Sequence, residues 1–166
     1  SQANNMVGLF SLLPAVVDAV KIPVIATGGI SDDQGMAASI ILGASGVQIG
    51  TGFLRAPEAA IASAWSDGIC RAAPEDTVAS RVFSGRLGRR LRTEYTNAAT
   101  SPLAPDLAPY PIQRNLTQKM REEAIASNEL TKIQAWAGQS SGLRRAIPAK
   151  EIVANLWNGT QVILNN

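Results

Sequence analysis

Two short apolar runs, each followed by a glycine turn, constrain the fold of this chain most strongly. Residues 22–26 are rich in β-branched side chains, which is typical of a strand buried on both faces. Residues 47–49 form a second run of the same kind, and residues 31–42 between them have helical spacing. The pattern therefore predicts a βαβ unit with two parallel strands. In such a unit both glycine turns lie at the same edge of the sheet.

The intervening helix has start and stop signals of its own. Ser31 is followed three residues later by Gln34, which predicts a capping box at the helix start. Gly43 is expected to end the helix, as glycine often does just after the last turn. The spacing assigns four residues to its inner face: Met36, Ala37, Ile40 and Ile41.

Four glycines occupy the two turns, at Gly28, Gly29, Gly50 and Gly52. Glycine allows unusual backbone dihedral angles and lets the backbone N–H groups approach a ligand closely. In (β/α)8 barrels the loops after the last two strands commonly bind a phosphate through such groups. One glycine alone would indicate only a tight turn. Four of them at matching ends of adjacent strands favour a phosphate-binding cradle.

Residues 26–54, ATGGISDDQGMAASIILGASGVQIGTGFL, resemble the FMN phosphate-binding segment of the nitronate monooxygenase family, formerly called 2-nitropropane dioxygenases. The resemblance continues in family order through residues 56–59 (APEA, as in the class I branch), 81–86 (RVFSGR), 109–113 (PYPIQ) and 136–139 (WAGQ). It thus covers nearly the whole chain. Related flavin barrels share the glycine turns, whereas the downstream segments are more specific to the nitronate monooxygenase family.

This resemblance implies an α/β fold, the C-terminal portion of a (β/α)8 TIM barrel in residues 1–66. A mostly helical C-terminal subdomain is expected in residues 67–166. The implied reaction is the FMN-dependent oxidation of an alkyl nitronate by O2 to a carbonyl compound and nitrite. Two related flavin-barrel activities stay open, an NAD(P)H:quinone reductase and an enoyl-ACP reductase. A non-catalytic phosphate-binding or interaction module is a further alternative.

Matching the family residue by residue gives a set of cofactor-binding candidates. The FMN phosphate would be bound by the backbone of Gly28, Gly29, Gly50 and Thr51. The Thr51 hydroxyl could donate a further hydrogen bond. Gln48 on the second strand and Gln139 after a helix are candidate contacts with the flavin or the substrate. A purely structural role stays open for both glutamines.

The chain contains no histidine, although histidine is the most common general base near neutral pH. The family uses a histidine just before the segment with which this chain starts, so no catalytic residue is assigned here. Two predicted strands also cannot close a barrel, and they would leave unpaired edges. The sequence therefore predicts that about six further strands are supplied upstream.

The remaining pattern is mostly helical. Ser11 predicts the cap of a helix over residues 12–20, with Pro14 in its first turn. Further helices are expected over residues 57–65, 116–126 and 129–136, with a strand or hairpin arm over 77–84 and an extended connector over 100–111. Pro148 predicts the start of a final helix, with four residues on its buried side: Ile152, Val153, Leu156 and Trp157.

Charge is unevenly distributed between the two predicted parts. Residues 1–65 have two basic and four acidic side chains, whereas residues 66–166 have thirteen and nine. Four arginines, Arg86, Arg89, Arg90 and Arg92, are close together but lack the motifs of nucleic-acid-binding proteins. We therefore expect a solvated or interface-forming arginine surface and no nucleic-acid partner.

Cysteine content and hydropathy restrict the compartment and the class of protein to which the chain belongs. Cys70 is the only cysteine, which fits a reducing cytosol and a cytoplasmic protein. No apolar run approaches the ~20 residues of a membrane span, so no membrane partner is expected. Asp32 and Asp33 at a helix start are explained by the helix dipole, and no group has metal-ligand spacing. A homodimer is compatible with the sequence.

Overall fold

The structure is a computed structural model that describes residues 6–143 and 145–166. Its residues fall into two compact units. The first unit is formed by the chain up to Glu58 together with Ala146–Asn166, and the second is Ala59–Arg145. This division differs from the predicted one in two respects: the first unit ends at Glu58 instead of residue 66, and it includes the C-terminal helix.

Helices and strands alternate early in the chain, and helices dominate later. Among the described residues the elements in chain order are α1 (Leu9–Ala19), β1 (Ile25–Thr27), α2 (Asp33–Ile41), β2 (Gly46–Gln48), α3 (Ser63–Arg71), β3 (Thr77–Ser80), β4 (Gly88–Leu91), α4 (Glu94–Ala98), α5 (Ile112–Leu116), α6 (Gln118–Ala126) and α7 (Ala149–Leu164). Short 3-10 turns cover Thr51–Phe53, Pro57–Ala59, Pro74–Asp76, Leu130–Lys132 and Ser141–Leu143.

The predicted βαβ unit is confirmed, since β1 and β2 pair in parallel with Ile25 opposite Gly46 and Thr27 opposite Gln48. Burial of both sheet faces was predicted, and that prediction is wrong. Ala26 is buried, but Ile25 is 53% exposed and Thr27 is exposed as well. The reason is that the apolar core covers only one face: the buried residues Leu13, Ala26, Ile30 and Ala44 form it.

The start of α2 differs from the predicted capping box. Asp32 is the cap, because its carboxylate accepts a hydrogen bond from the Gly35 amide at 2.8 Å. Ser31, the predicted cap, is buried instead. The predicted stop is confirmed: Gly43 has φ of 96° and its amide donates to the Ile40 carbonyl at 2.9 Å.

The predicted inner face of α2 is confirmed for Ala37, Met36 and Ile40, of which the last two are half-buried, and it is wrong for Ile41. Ala37 and Ser39 are buried, whereas Ile41 is 70% exposed. The Thr160 hydroxyl donates to the Asp33 carbonyl at 3.3 Å and so joins α7 to the start of α2. A contact between two helices this distant in sequence could not be read from local spacing.

Two other helix boundaries were predicted incorrectly. Helix α1 starts at Leu9, three residues before the predicted start, so Ser11 lies inside it and Pro14 is beyond the first turn. The helix predicted over 57–65 is divided into the 3-10 turn Pro57–Ala59 and α3. Ala60 lies between the two pieces with φ of 47°, a conformation that cannot continue a right-handed helix.

The second unit contains an antiparallel pair, β3 and β4, with Thr77 opposite Leu91. A helix was predicted over 129–136, but only the turn Leu130–Lys132 forms there. The next residues run beside β4 instead: the Leu91 amide donates to the Ala135 carbonyl at 2.9 Å, and the Ala137 amide donates to the Arg89 carbonyl at 3.3 Å. These hydrogen bonds satisfy an edge of β4 that would otherwise be unpaired.

Candidate functional site

The ends of β1 and β2 bring the two glycine turns to one edge of the sheet. Thr27 pairs with Gln48 at the last register position, and the Thr27 hydroxyl donates to the Gln48 carbonyl at 3.1 Å. Gly28 and Gly29 follow the first strand, and Gly50 follows the second after a single residue. Parallel pairing therefore places both turns side by side, as the spacing predicts.

The backbone of these turns is open to one side. Gly28 and Gly29 have φ of 95° and 71°, which side-chain-bearing residues rarely adopt. A Cβ atom built at Gly28, Gly29 or Gly50 would meet no other atom within 4 Å. The 3-10 turn Thr51–Phe53 begins directly after Gly50, and the start of a helical turn directs backbone N–H groups outward. This geometry is of the kind that accommodates an anion such as a phosphate.

Gln48 lies on the exposed face of the two-stranded sheet. We call this the open sheet face and define it by the residues that alternate toward it: Ile25, Thr27, Gly46 and Gln48. Gln48 and Thr27 are paired neighbours there. An isoleucine on β1 and a glutamine on β2, exposed on the same face of the sheet, provide both apolar and hydrogen-bonding surface for a ligand or for further protein.

Gln139, the other candidate side chain, belongs to the second unit. It lines a cavity of about 330 Å³, whose other lining residues are Cys70, Ala72, Pro74, Ser140 and Gly142. Its side chain is exposed, so it is accessible to a ligand. The five first-unit candidates thus share one edge and one sheet face, while Gln139 lies in a different unit.

The downstream segments that carry the resemblance hold one another together. The Gln113 side chain, which is buried, donates to the Val82 carbonyl at 2.7 Å and accepts from the Ala108 amide at 3.1 Å. The Thr117 hydroxyl donates to the Phe83 carbonyl at 2.6 Å. The Gln113 hydrogen bond joins residues 81–86 to residues 109–113, and the Thr117 hydrogen bond joins them to the chain just beyond. Gln113 therefore has a structural role that its spacing did not reveal.

Tyr110 makes a similar packing contact. The guanidinium carbon of Arg86 lies 3.9 Å from the centre of the Tyr110 ring. A Cβ atom at Gly85, which has φ of 79°, would lie 2.5 Å from the Tyr110 backbone nitrogen. The two segments therefore approach each other as closely as a glycine permits.

One arginine of the predicted surface cluster is in fact buried. Arg86 and Arg92 are exposed as expected, but Arg90 is 0% exposed. Burial lowers the pKa of Arg90 to about 10, and nearby Tyr95 partly opposes that shift. The expectation of a solvated arginine is wrong for Arg90, since its guanidinium packs against the rings of Phe83 and Trp136. Local spacing carried no signal for this burial, because the rings that cover Arg90 lie elsewhere in the chain.

Two features of the first unit were not anticipated. Both carboxylate oxygens of Glu58 accept from the Ala149 amide, at 3.0 and 3.2 Å, and so cap α7. Helix α7 also borders an apolar groove of about 260 Å³, lined by Met36, Val47, Ile49, Phe53, Val153, Leu156 and Trp157. Ile152 and Leu156 are buried as predicted, but Val153 and Trp157 are more than half exposed.

Metal and membrane features can be stated for the residues that the structure covers. None of their His, Cys, Asp and Glu side chains form a group of three or more suited to a metal ion. None of their helices has the length and apolar character needed to cross a bilayer.

Comparison with known proteins gives the family. A family model described as nitronate monooxygenase matches residues 1–159. A probable nitronate monooxygenase of Staphylococcus aureus strain MSSA476 is 42% identical over 161 residues, which are 96% of this chain and 44% of that protein. The strain Newman relative is 40% identical over 159 residues. The chain therefore spans less than half the length of these relatives.

Solved structures give the fold. A nitroalkane oxidase from Streptomyces ansochromogenes superposes with a TM-score of 0.88 at 32% identity, covering 96% of this chain and 45% of that one. FabK from Thermotoga maritima superposes with a TM-score of 0.78 at 29% identity, covering 97% and 51%. The α/β fold of this chain is thus similar to about half of each protein.

Proposed function

The chain belongs to the nitronate monooxygenase family, and on that premise we propose that it is the C-terminal part of an FMN-dependent enzyme. The proposed reaction is the oxidation of an alkyl nitronate by O2 to a carbonyl compound and nitrite. The observation that carries the proposal is the pair of open glycine turns at one sheet edge, in a chain that a nitronate monooxygenase model matches along 1–159.

The backbone of Gly28, Gly29, Gly50 and Thr51 would hold the FMN phosphate. The flavin, when bound, supplies the redox chemistry, and the protein orients it. The open space beside the three glycines fits an anion at this edge. Thr27 and Gln48 brace the two turns through the hydroxyl-to-carbonyl hydrogen bond at 3.1 Å. The amides would therefore be fixed before the phosphate arrives.

The two candidate glutamines would contact the flavin edge or the substrate. An amide side chain both donates and accepts hydrogen bonds, which suits a flavin ring or a nitronate oxygen. A nitronate is already deprotonated, so its oxidation needs no base from this chain. Because the chain has no histidine, abstraction of a proton from a neutral nitroalkane is assigned to residues outside it.

The open sheet face and strand edges support a fold completed by further protein. Among the described residues β1 and β2 form a sheet of two strands, whose outer edges present N–H and C=O groups for further pairing, and Ile25 is 53% exposed on it. Upstream strands would close a (β/α)8 barrel over this face. Relatives more than twice as long as the aligned region support such an upstream part. A homodimer could bury this apolar surface as well. A measurement of the molecular mass in solution distinguishes a homodimer from a single chain completed by upstream strands.

Likeness to FabK, at a TM-score of 0.78, keeps a related flavin-barrel reductase as the second candidate. The greater likeness to a nitroalkane oxidase, at 0.88, favours nitronate chemistry. A reductase would consume NADH or NADPH in the presence of a quinone or an enoyl thioester, whereas the proposed enzyme would form nitrite from a nitronate without a nicotinamide.

Flavin retention tests the proposal. The chain would be purified alone and extended upstream, either by its own coding sequence or by the corresponding half of the Staphylococcus aureus relative. Both forms would be desalted after incubation with excess FMN. We expect visible flavin absorbance and nitrite release from a nitronate only in the extended form. Stoichiometric FMN on the chain alone would contradict the need for an upstream part, and NADH oxidation without nitrite release would favour the reductase.

A further inference from the structure

Arg90 connects three parts of the second unit through one buried side chain. Its Nη2 donates to the Ser80 carbonyl at 2.8 Å and to the Gly88 carbonyl at 3.2 Å. Its guanidinium carbon lies 4.7 Å from the centre of the Trp136 ring and 5.1 Å from that of Phe83. A guanidinium held between aromatic rings and away from water makes an effective cation–π contact.

A contribution to folding stability does not explain why Arg90 is buried. Its Nη1 has no hydrogen-bond partner, and no carboxylate forms a salt bridge with it, among the residues that the structure covers. A buried charge without a counter-ion opposes folding, and an apolar side chain of similar volume would fill the same space without that penalty. Such a residue is better suited to fixing one geometry than to adding stability.

The residue whose position Arg90 fixes is Trp136. The two residues lie opposite each other in an antiparallel bridge, so the guanidinium reaches the indole of its own backbone neighbour. Gly88 leaves room for this ring: a Cβ atom there would overlap Cζ3 of Trp136. The Trp65 indole N–H also donates to the Trp136 carbonyl at 3.1 Å. Trp136 is therefore held from its face, its edge and its backbone.

We propose that Arg90 is a positioning residue that holds Trp136 and the following residues through Gln139 beside β4. Ala137 is attached to the same strand through its amide, which donates to the Arg89 carbonyl. Gln139 follows two residues later and lines its cavity. The functional consequence, a correctly placed Gln139, rests on the proposed contact of Gln139 with the flavin or substrate.

Hydrogen exchange measured by NMR on the full 166-residue chain tests the positioning. Arg90→Lys keeps the charge but loses the planar guanidinium, Arg90→Met removes the charge, and exposed Arg92→Met is the matched control. We expect the Ala137 amide and the Trp65 indole N–H to exchange about tenfold faster in Arg90→Met. The β3–β4 ladder outside the Ser80–Gly88 pair, to which Arg90 also donates, should keep its amide exchange rates, and Arg90→Lys should be intermediate.

Uniform acceleration of all amides would mean that Arg90 acts only on global stability, and unchanged rates would mean that it does not hold the segment; either result overturns the proposal. If Arg90→Met fails to fold, Gly88→Ala displaces the same Trp136 ring, because the new methyl group would overlap Cζ3 of Trp136. It should accelerate exchange at Ala137 and Trp65 while Arg90 is intact.

A double-mutant cycle on the flavin-loaded, extended protein tests the consequence. Arg90→Lys and Gln139→Ala are each expected to lower kcat, and the double variant should be no slower than Gln139→Ala. Multiplied effects would show that Arg90 acts independently of Gln139. If Gln139→Ala leaves flavin binding and turnover unchanged while the exchange pattern holds, the proposed role of Gln139 fails and the positioning by Arg90 stands.

Discussion

The turn glycines of the first unit and the glycines of the second unit have opposite surroundings. Gly28, Gly29 and Gly50 face open space, where a methyl group would meet nothing within 4 Å. Gly85 and Gly88 face the backbone of residues 108–110 and the indole of Trp136. In the first case the missing side chain leaves backbone accessible to a ligand. In the second it lets two chain segments approach each other.

The same contrast extends to the segments that resemble the family. The early segment presents its backbone outward at one sheet edge, as a binding site requires. The downstream segments present polar side chains to one another, as Gln113 does to the Val82 carbonyl. Sequence similarity alone does not separate these two uses, because a family retains residues for folding as well as for chemistry.

The largest expected effect is that of Gly85→Ala in the second unit. The new methyl group would meet backbone atoms of residues 108–110, the nearest at 2.5 Å, in a left-handed conformation. Overpacking and backbone strain together predict a loss of about 3 kcal/mol in the free energy of unfolding. Urea denaturation measures it, with Gly28→Ala as the control, for which only the strain of about 1 kcal/mol is expected. Equal losses in both variants would remove the distinction between the two regions.

Gly50→Ala should separate binding from stability in the first unit. Gly50 has φ of −97° and ψ of −70°, which alanine adopts, and open space beside it. The free energy of unfolding should change by less than about 0.5 kcal/mol. The methyl group would project toward the proposed phosphate, so FMN affinity should fall about tenfold or more. Quenching of flavin fluorescence in the extended protein measures this affinity, and unchanged binding would place the phosphate elsewhere.

The pH dependence of stability should reveal the buried charge of the second unit. Burial lowers the folded-state pKa of Arg90 to about 10, well below its usual range. Above pH ~10 the unfolded chain therefore binds more protons than the folded chain, and this linkage favours folding as the pH rises. Relative to Arg90→Met, the unsubstituted chain should gain about 1 kcal/mol between about pH 9 and about pH 11.

Urea unfolding at each pH measures that difference. Burial raises the pKa of Tyr95 and the charge of Arg90 lowers it, so Tyr95 contributes differently to the two proteins and both are compared in a Tyr95→Phe background. Parallel stability curves for the two proteins would show that Arg90 does not titrate in this range.

The sequence by itself determined the βαβ unit, the edge that carries the glycine turns, and the family. These features depend on residues close in the chain: β-branched runs, glycines after each run, and Gly43 at the end of α2. Local spacing also identified α6 and α7, together with the buried side chains Ile152 and Leu156.

Only the tertiary structure decided the contacts between distant residues. Glu58 caps α7 across 91 positions, and Asn128 accepts from the Ala64 amide at 2.8 Å in the first turn of α3. Neither helix has a capping side chain of its own, so local signals could not place these partners. Residues 135–137 became extended for the same reason, since an unpaired edge of β4 was available to them. Backbone hydrogen bonds must be satisfied wherever the chain folds, and a partner far along the chain can override local preference.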